Sequence, residues 1–319
     1  MIDVAAIGEL LIDFTPGDGE WSFVAHPGGS VANFLAQLSV LGKKTSFMGM
    51  VGKDQFGEYL RDTLAGVGVG AEGLKMNPDV GTTLAFVHIN KQGDRSFTFY
   101  RRPGADMMFT EQDIDYSLID SARYFHFAGV SLTKEPMRSA TFAAASYARR
   151  AGKVISFDPN YRSTLWDSET EAAEVLRLGV PMCDLLKVSD EEALMITGED
   201  TVEKAAAVLA SMGPALVLVT LGARGCHCYH KNLDRHFETY DTKVVDTTGS
   251  GDSFFGAVVY RLSCLGVPVA ALSDLQLAEM VDFGNAAGSC CAAGYGAIPS
   301  LQDEAGIREC MAKVPKLKL

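Results

Sequence analysis

The chain has 319 residues, of which 47% are hydrophobic and 21% are charged. With 17 Phe and 10 Tyr, this composition excludes a disordered protein. The formal net charge is −12, which argues against nucleic-acid and membrane partners because phosphate groups are also negative. No run approaches the ~18 apolar residues of a membrane helix. The seven cysteines are irregularly spaced, so we expect free thiols and a cytoplasmic location.

Short apolar runs alternate with longer helical patterns along most of the chain. The predicted strands lie at 4–7, 124–128, 154–157, 185–188 and 215–219, and the predicted helices at 31–41, 137–151, 253–265 and 275–292. Apolar strands that alternate with helices are typical of a parallel sheet covered on both faces. The sequence therefore predicts the α/β class, as a three-layer α/β/α sandwich with a mainly parallel sheet, formed by one domain over residues 1–319.

Two segments, residues 10–26 and 82–101, depart from this alternation. The first has no helical period, and the second is predicted to form a hairpin whose turn is Lys91-Gln92-Gly93-Asp94. Such strands do not fit a strand–helix–strand repeat, so they predict a small separate β-sheet that covers the main one as a lid. Strands at the edge of the main sheet are the alternative that periodicity alone leaves open.

A glycine-rich loop, Asp246-Thr247-Thr248-Gly249-Ser250-Gly251-Asp252, directly precedes an apolar helical pattern. Glycines let backbone N–H groups approach an anion, and a helix start adds unpaired donors and the positive end of its dipole. These features predict a phosphate-binding loop. The carboxylate inside it, Asp252, suits a general base that takes a proton from an attacking hydroxyl. A plain helix start with an acidic first turn is the alternative.

A second glycine pair, Gly28-Gly29, leads into the helix that contains Asn33. Close backbone approach beside a side-chain amide suits a ligand with many hydroxyls, and a plain N-cap by Ser30 is the alternative. Asp13 follows the first predicted strand, and a carboxylate is a good acceptor for sugar hydroxyls. Taken alone, Asp13 fits a solvated loop acid better.

Together these motifs resemble the ribokinase-like (PfkB) carbohydrate kinases over nearly the whole chain. Both glycine motifs match in order, as do the stretches between them at 157–162, 187–192 and 220–225. The segment at 99–107 is similar to fructokinases in particular. The resemblance implies a ribokinase-like fold and the transfer of the γ-phosphoryl group of ATP to a primary hydroxyl of a sugar, with D-fructose as the first expectation.

The resemblance also implies roles for individual residues. Asp252 is the general base, and the backbone amides of Gly249, Ser250 and Gly251 form the anion hole. The sugar-binding residues are Asp13, Gly28, Gly29, Asn33, Arg101 and Arg162. The nucleotide-binding residues are Lys187, Ser189, Thr220, Gly222, Gly225 and Asn285, the last of them beside the adenine.

Two metal sites are implied by the same resemblance. Glu192 stands where the family has the glutamate that organises Mg²⁺ through water, with Asp190 as the alternative. Ser189 replaces the asparagine of that motif, and one glutamate suffices because Mg²⁺ keeps several waters. Many relatives also hold a monovalent cation, here expected to be K⁺, and the corresponding positions are Asp246, Thr248, Gly296 and Ser300.

The motifs leave the substrate open. A sister kinase for 2-keto-3-deoxygluconate, a pentose or an aminoimidazole riboside is one alternative, since Arg101 and Arg162 suit a carboxylate as well as sugar oxygens. A sugar-binding protein without activity is a second, against which the intact Asp252 loop argues. A simple nucleotide-binding module is a third, which Asn33 and Asp13 disfavour.

Two further expectations concern assembly and the C-terminus. Family analogy predicts a homodimer that forms through the lid. The C-terminal residues 313–319 are expected to form a frayed, solvated tail.

Overall fold

The structure is a computed structural model that describes residues 2–19, 21–89, 95–231 and 233–318. The predicted turn at 91–94 lies outside these residues. The strands are β1 Val4–Ile7, β2 Leu11–Pro16, β3 Phe23–Gly28, β4 Thr45–Gly52, β5 Val69–Asn77, β6 Leu84–Ile89, β7 Arg95–Tyr100, β8 Tyr124–Ala128, β9 Val154–Asp158, β10 Leu185–Ser189, β11 Leu216–Thr220, β12 Cys226–His230 and β13 Leu233–Phe237. The helices are α1 Ser30–Val40, α2 Gln55–Gly66, α3 Tyr116–Ser121, α4 Met137–Arg150, α5 Glu169–Gly179, α6 Asp190–Thr197, α7 Val202–Ser211, α8 Ser250–Leu265, α9 Asp274–Ala292 and α10 Glu304–Lys313.

The main sheet has nine strands in the order β13-β12-β11-β10-β9-β8-β1-β4-β5. The strands from β11 to β5 pair in parallel, and β12 and β13 continue the sheet antiparallel at one edge. Along β1, Val4 and Ala6 belong to one buried cluster, whereas Ala5 and Ile7 belong to another. Both faces of the sheet are therefore covered, which explains why its strands are continuous apolar runs.

The helices divide between these two faces. Helices α1, α2, α8, α9 and α10 contribute to the first cluster, and α3 to α7 contribute to the second. The three-layer α/β/α sandwich predicted from the sequence is confirmed.

The two segments that interrupt the alternation form a separate four-stranded sheet in the order β3-β2-β6-β7. This sheet, called the lid below, decides between the two alternatives that periodicity left open. In the lid, Asp13 is paired with Ala85, and Phe14 is paired with Phe86. Successive residues of a strand point to opposite faces, so Asp13 lies on one face of the lid and the stacked rings of Phe14 and Phe86 lie on the other.

Two helix starts differ from the sequence-based expectation. The N-cap of α1 is Gly29, and Ser30 is already the first helical residue. Gly29 has a φ of 119°, a backbone conformation that favours glycine. Helix α8 begins at Ser250, three residues before the predicted 253. The glycine-rich loop therefore runs directly into the helix, and Asp252 lies in the first turn of that helix.

The C-terminal tail is ordered against the main body, so the expectation of a frayed tail is wrong for residues 314–318. Lys316 forms an antiparallel bridge with Tyr240. The N–H of Leu317 donates to the carbonyl oxygen of Thr239 at 2.9 Å. These backbone bonds join residues more than seventy positions apart, which local sequence signals do not report.

Candidate active site

The carboxyl ends of the parallel strands bring the polar residues of the site to one edge of the main sheet. Asp158 is the last residue of β9, Ser189 is the last of β10, and Thr220 is the last of β11. Glu9 follows β1 by two residues. Ligands of open α/β sheets bind outside the carboxyl ends of the strands, and two cavities lie at this edge.

The first cavity, called the acceptor cavity below, has a volume of about 390 Å³ and lies between the lid and the main sheet. From the set expected at the sugar and phosphoryl sites, its walls contain Asp13, Gly29, Asn33, Arg162, Gly249, Gly251 and Asp252. The structure therefore assembles these residues, which the chain separates by more than 200 positions, around one space.

Asn33 and Asp252 are in direct contact in this cavity. The Nδ2 of Asn33 donates to the Oδ2 of Asp252 at 2.9 Å. The Oδ1 of Asn33 is buried and has no protein hydrogen-bond partner among the described residues. It is therefore available as an acceptor for a hydroxyl group of a ligand, while the amide nitrogen holds the carboxylate.

Burial raises the pKa of Asp252 to about 7, and the negative charge of Asp158 adds to the effect. The hydrogen bond from Asn33 acts in the opposite direction because it favours the charged form. A carboxyl group that titrates near pH 7 is suited to general base catalysis. Burial also raises the pKa of Asp13 to about 7.

Lys187 is the buried cation of the site. Its Nζ lies 2.9 Å from the Oδ2 of Asp158. Burial alone would lower its pKa, but the neighbouring carboxylates of Asp158, Glu192 and Asp252 raise it, so it stays charged. Lys187 and Ser189 line the acceptor cavity, although both were expected at the nucleotide.

The loop before α8 has a backbone that requires glycine. Gly249 has a φ of 76°, and a Cβ there would lie 2.3 Å from the Cβ of Ala297. A Cβ on Gly251 would lie 3.1 Å from the Nζ of Lys187. Within the described residues, the backbone N–H groups of Gly249 and Gly251 have no backbone acceptor, whereas that of Ser250 donates to Thr247 at 3.2 Å. Two of the three predicted anion-hole amides are therefore free of backbone partners.

The second cavity, called the nucleotide cavity below, has a volume of about 450 Å³. It contains the four expected residues Thr220, Gly222, Gly225 and Asn285, and also Ser250. Thr247 and Gly251 line both cavities. The two spaces therefore meet at the glycine-rich loop.

Asn285 is committed to the protein backbone within this cavity. Its Nδ2 donates to the carbonyl oxygens of Phe237 and Glu238 at 3.4 and 3.2 Å. The amide group therefore positions the end of β13, and its oxygen is the group that remains for hydrogen bonding to a ligand.

Glu192 and Ser189 together cap the N-terminus of α6. The N–H of Glu192 donates to the Oγ of Ser189, and the Oε2 of Glu192 accepts the N–H of Ser189 at 2.8 Å, a capping box. Its Oε1 accepts the N–H of Tyr161 at 2.6 Å. Each oxygen keeps a lone pair, and the side chain lines the acceptor cavity, so it fits water-mediated contact with Mg²⁺. Asp190 instead binds Arg224 at 2.6 Å.

The residues expected at the monovalent cation come together behind the glycine-rich loop. The Oδ1 of Asp246 accepts the N–H of Thr248 at 2.9 Å, and its Oδ2 accepts the N–H of Gly296 at 3.1 Å. The Oγ of Ser300 donates to the carbonyl oxygen of Tyr295 at 3.0 Å. A buried carboxylate with the hydroxyl oxygen of Thr248 beside it is a set of oxygen donors that suits a hard cation.

Two of the expected sugar ligands have other roles in the structure. Arg101 does not line the acceptor cavity. Its guanidinium is buried against Asp106 at 2.6 Å and donates to the Oγ1 of Thr133 at 2.7 Å. Gly28 is also absent from the cavity wall, and a Cβ there would lie 2.0 Å from the Oδ2 of Asp13. Gly28 leaves room for Asp13 instead.

Sequence analysis missed Glu9 and Asp158. The Oε1 of Glu9 accepts both the N–H and the Oγ–H of Ser30 at 2.7 Å, which joins the chain before β2 to the chain after β3. Asp158 holds Lys187. Both acids follow apolar strands, and a search for polar residues at the carboxyl ends of predicted strands would have found them.

The comparisons with known proteins agree with this geometry. The chain matches the pfkB family of carbohydrate kinases over residues 1–304 and belongs to that family. It is 39% identical to a probable fructokinase-5 of Arabidopsis thaliana, with 98% of both chains covered.

Solved structures match the fold as well as the sequence. A Vibrio cholerae fructokinase with fructose, ADP and a calcium ion has a TM-score of 0.88 and 31% identity, over 97% of this chain and 99% of that one. A Xylella fastidiosa fructokinase with bound ATP has a TM-score of 0.90 and 29% identity, over 98% of each chain. The protein is a sugar phosphotransferase. None of its described helices is long and apolar enough to cross a membrane.

The pKa of Asp252 predicts the pH dependence of activity. Because only the ionised carboxylate accepts a proton, we expect kcat/KM to rise with pH, with a midpoint near 7. In Asp252→Asn, this limb disappears and kcat falls about 10²–10⁴-fold, while ADP binding, measured by calorimetry, is retained. An Asp252→Asn variant with the activity of the parent would show that another group is the base.

A second variant, Asn33→Ala, tests whether the pH dependence arises from Asp252. Because the Asn33 donor favours the charged form of Asp252, its removal should move the limb of the pH–kcat/KM profile to higher pH. A limb that stays in place, or moves to lower pH, would contradict the assignment of the titration to Asp252.

Proposed function

We propose that the protein transfers the γ-phosphoryl group of ATP to the primary hydroxyl of D-fructose that gives fructose 6-phosphate. The observation that carries this proposal is the meeting of the two cavities at Thr247 and Gly251, with Asp252 on the acceptor side. Direct transfer needs a donor site and an acceptor site that share one phosphoryl position. We further propose that residues 1–319 act as one kinase domain.

The proposed mechanism assigns the proton to Asp252. In its ionised form the carboxylate accepts the proton of the sugar hydroxyl, whose oxygen then forms the new bond to phosphorus while the bond to the ADP oxygen breaks. Asn33 keeps the carboxylate in place through its 2.9 Å bond. The base is therefore oriented before the sugar arrives.

The glycine-rich loop is proposed as the anion hole. The N–H groups of Gly249 and Gly251 lack backbone acceptors in the described residues, and α8 directs the positive end of its dipole toward the same point. Donors that are fixed before the reaction stabilise charge as it moves from the leaving oxygen to the migrating group. Lys187 adds a positive charge beside Gly251.

Sugar recognition is proposed to rest on Asp13, Asn33 and Arg162, which converge on the acceptor cavity from the lid, from α1 and from the loop after β9. Phe99 and Leu11 of the lid supply apolar cover, which excludes water as a competing acceptor. The choice of fructose is supported by the relative named a probable fructokinase and by the similar structure solved with fructose and ADP.

The nucleotide is proposed to occupy the second cavity, with its phosphates near Thr220, Gly222 and Gly225 and toward the shared loop. Glu192 fits an indirect ligand of Mg²⁺, which would neutralise phosphate charge when bound. Asp246, Thr248, Gly296 and Ser300 are proposed as the K⁺ site. Asp246 already ties the loop before α8 to Gly296, so a cation there would fix the geometry of the anion hole.

A sugar panel tests the substrate and the cation together. With MgATP, we expect selective release of ADP with fructose over glucose, mannose, ribose, 2-keto-3-deoxygluconate and a nucleoside. K⁺ should raise the rate of the parent, whereas Asp246→Asn should lose that stimulation while keeping the pH profile set by Asp252. Turnover of the keto acid or the nucleoside alone would contradict the fructose assignment, and equal K⁺ stimulation in both proteins would contradict the cation site.

We also propose a homodimer through the lid and a cytoplasmic location, the latter because all seven cysteines are free thiols. On the lid face opposite Asp13, the rings of Phe23 and Phe86 lie 5.3 Å apart, and those of Phe86 and Tyr100 lie 5.5 Å apart. Tyr100 is 66% exposed. An exposed aromatic band of this kind is typical of an interaction surface.

Sedimentation velocity tests the dimer. The parent should sediment as a dimer, and Tyr100→Glu should shift it toward the monomer because a charge is buried in the interface. Leu178→Glu, at an exposed position of α5 and outside the lid strands, is the control and should stay dimeric. A parent that is monomeric, or two variants that behave alike, would contradict the proposal.

A further inference from the structure

We propose that residues 315–317 form a strap that closes the nucleotide cavity, and that Leu317 determines nucleotide affinity through contact with the bound base. The proposal rests on the assignment of that cavity to the nucleotide. Leu317 lines the cavity directly, although sequence analysis treated this segment as a solvated tail.

The main chain of the strap is fixed on both sides of Lys316. The N–H of Asp241 donates to the carbonyl oxygen of Pro315, and the N–H of Leu317 donates to the carbonyl oxygen of Thr239, both at 2.9 Å. This is the bond pattern of a short antiparallel pair. The strap is therefore held in register with residues 239–241, which also line the nucleotide cavity at Thr239 and Tyr240.

The side chain of Lys316 adds a second anchor. Its Nζ contacts the carboxylate of Asp282 and lies 3.5 Å from the centre of the Tyr240 ring. It also donates to the carbonyl oxygen of Glu238 at 3.2 Å. The same oxygen accepts from Asn285. Two polar side chains, from α9 and from the strap, thus stabilise one cavity wall.

Leu317 separates two cavities. Together with Ala223, it lines both the nucleotide cavity and a neighbouring cavity of about 350 Å³ that contains Arg224 and His227. Shortening the side chain would join the two spaces and admit water to the nucleotide cavity.

The chemistry of the walls identifies which part of a nucleotide meets the strap. Tyr240, Val244, Phe254 and Ala292 line the same cavity as Leu317, so this cavity offers apolar surface that suits the flat face of a purine. The phosphates belong at the glycine-rich end of the cavity, where backbone donors are available. A leucine against the base adds apolar burial without a directional bond, so it raises affinity without acting on the transferred group.

Calorimetric titration with ADP, in the absence of sugar, tests this proposal. Leu317→Ala should weaken ADP binding about 5- to 20-fold, and Leu317→Asp should weaken it further because a charge then faces the base. Lys318→Ala, at the exposed neighbouring position, is the matched control and should bind ADP like the parent. In kinetic assays, the KM for ATP should rise by a similar factor in Leu317→Ala, whereas Lys318→Ala should keep the KM and kcat of the parent.

Hydrogen exchange gives a readout that a general loss of folding would not reproduce. Exchange at the Leu317 amide should slow on addition of ADP in the parent, while amides of the lid stay unchanged without sugar. The proposal would be wrong if Leu317→Asp bound ADP as tightly as the parent, or if ADP did not change the exchange rate of the Leu317 amide.

The outcomes also separate this proposal from the proposed function. If ADP affinity falls in Leu317→Asp while the parent does not phosphorylate fructose, the role of the strap is supported and the assignment of fructose as substrate is wrong. If the parent does not bind ADP, the assignment of the nucleotide cavity and the role of the strap are both wrong.

Discussion

The hydrogen bond from Asn33 to Asp252 joins α1 to α8 across 219 positions of the chain. Helix α1 continues directly from the lid strand β3, and α8 continues from the glycine-rich loop. A second bond, from the Oγ of Ser253 to the Oε1 of Gln37 at 2.7 Å, repeats the contact further along. Gly256 lets the helices approach, because a Cβ there would lie 2.9 Å from the carbonyl oxygen of Phe34. The carboxylate of Asp252, the proposed general base, is therefore oriented by the packing of two helices.

The charges of the site follow from this packing. Burial disfavours the charge on Lys187, but the nearby carboxylates of Asp158, Glu192 and Asp252 keep its pKa raised. Burial raises the pKa of Asp252 to about 7, and the negative charge of Asp158 adds to this shift, while Lys187 opposes it. With three acids near one cation, the site carries an excess of negative charge. The same excess of negative charge is a physical reason why ATP would enter together with a divalent cation.

The sequence predicted the layers, and it singled out the glycine-rich loop and Asp252, which the structure places in the wall of the acceptor cavity. Both predictions depend on local signals. Strands that are continuously apolar, without alternation of polar and apolar residues, indicated a parallel sheet covered on both faces. Gly249 and Gly251 before an apolar helix indicated an anion site. Contacts between distant residues were not predictable in this way. Arg101 directly follows β7, but the direction of its side chain is set by contacts with Asp106 and Thr133. The motif around Arg101 does not reveal these contacts. The order of the strap around Leu317 likewise depends on residues 239–241, far away in the chain.

In the proposed mechanism, the Gly249 and Gly251 amides and Asp252 act on one phosphoryl position between the two cavities. A crystal structure with ADP, beryllium trifluoride and fructose tests it most directly. We expect fluoride within hydrogen-bond distance of both amides, and the accepting sugar hydroxyl hydrogen-bonded to Asp252 while Asn33 keeps its contact. A fluoride bound elsewhere, or a sugar hydroxyl that faces another carboxylate, would rule out this mechanism.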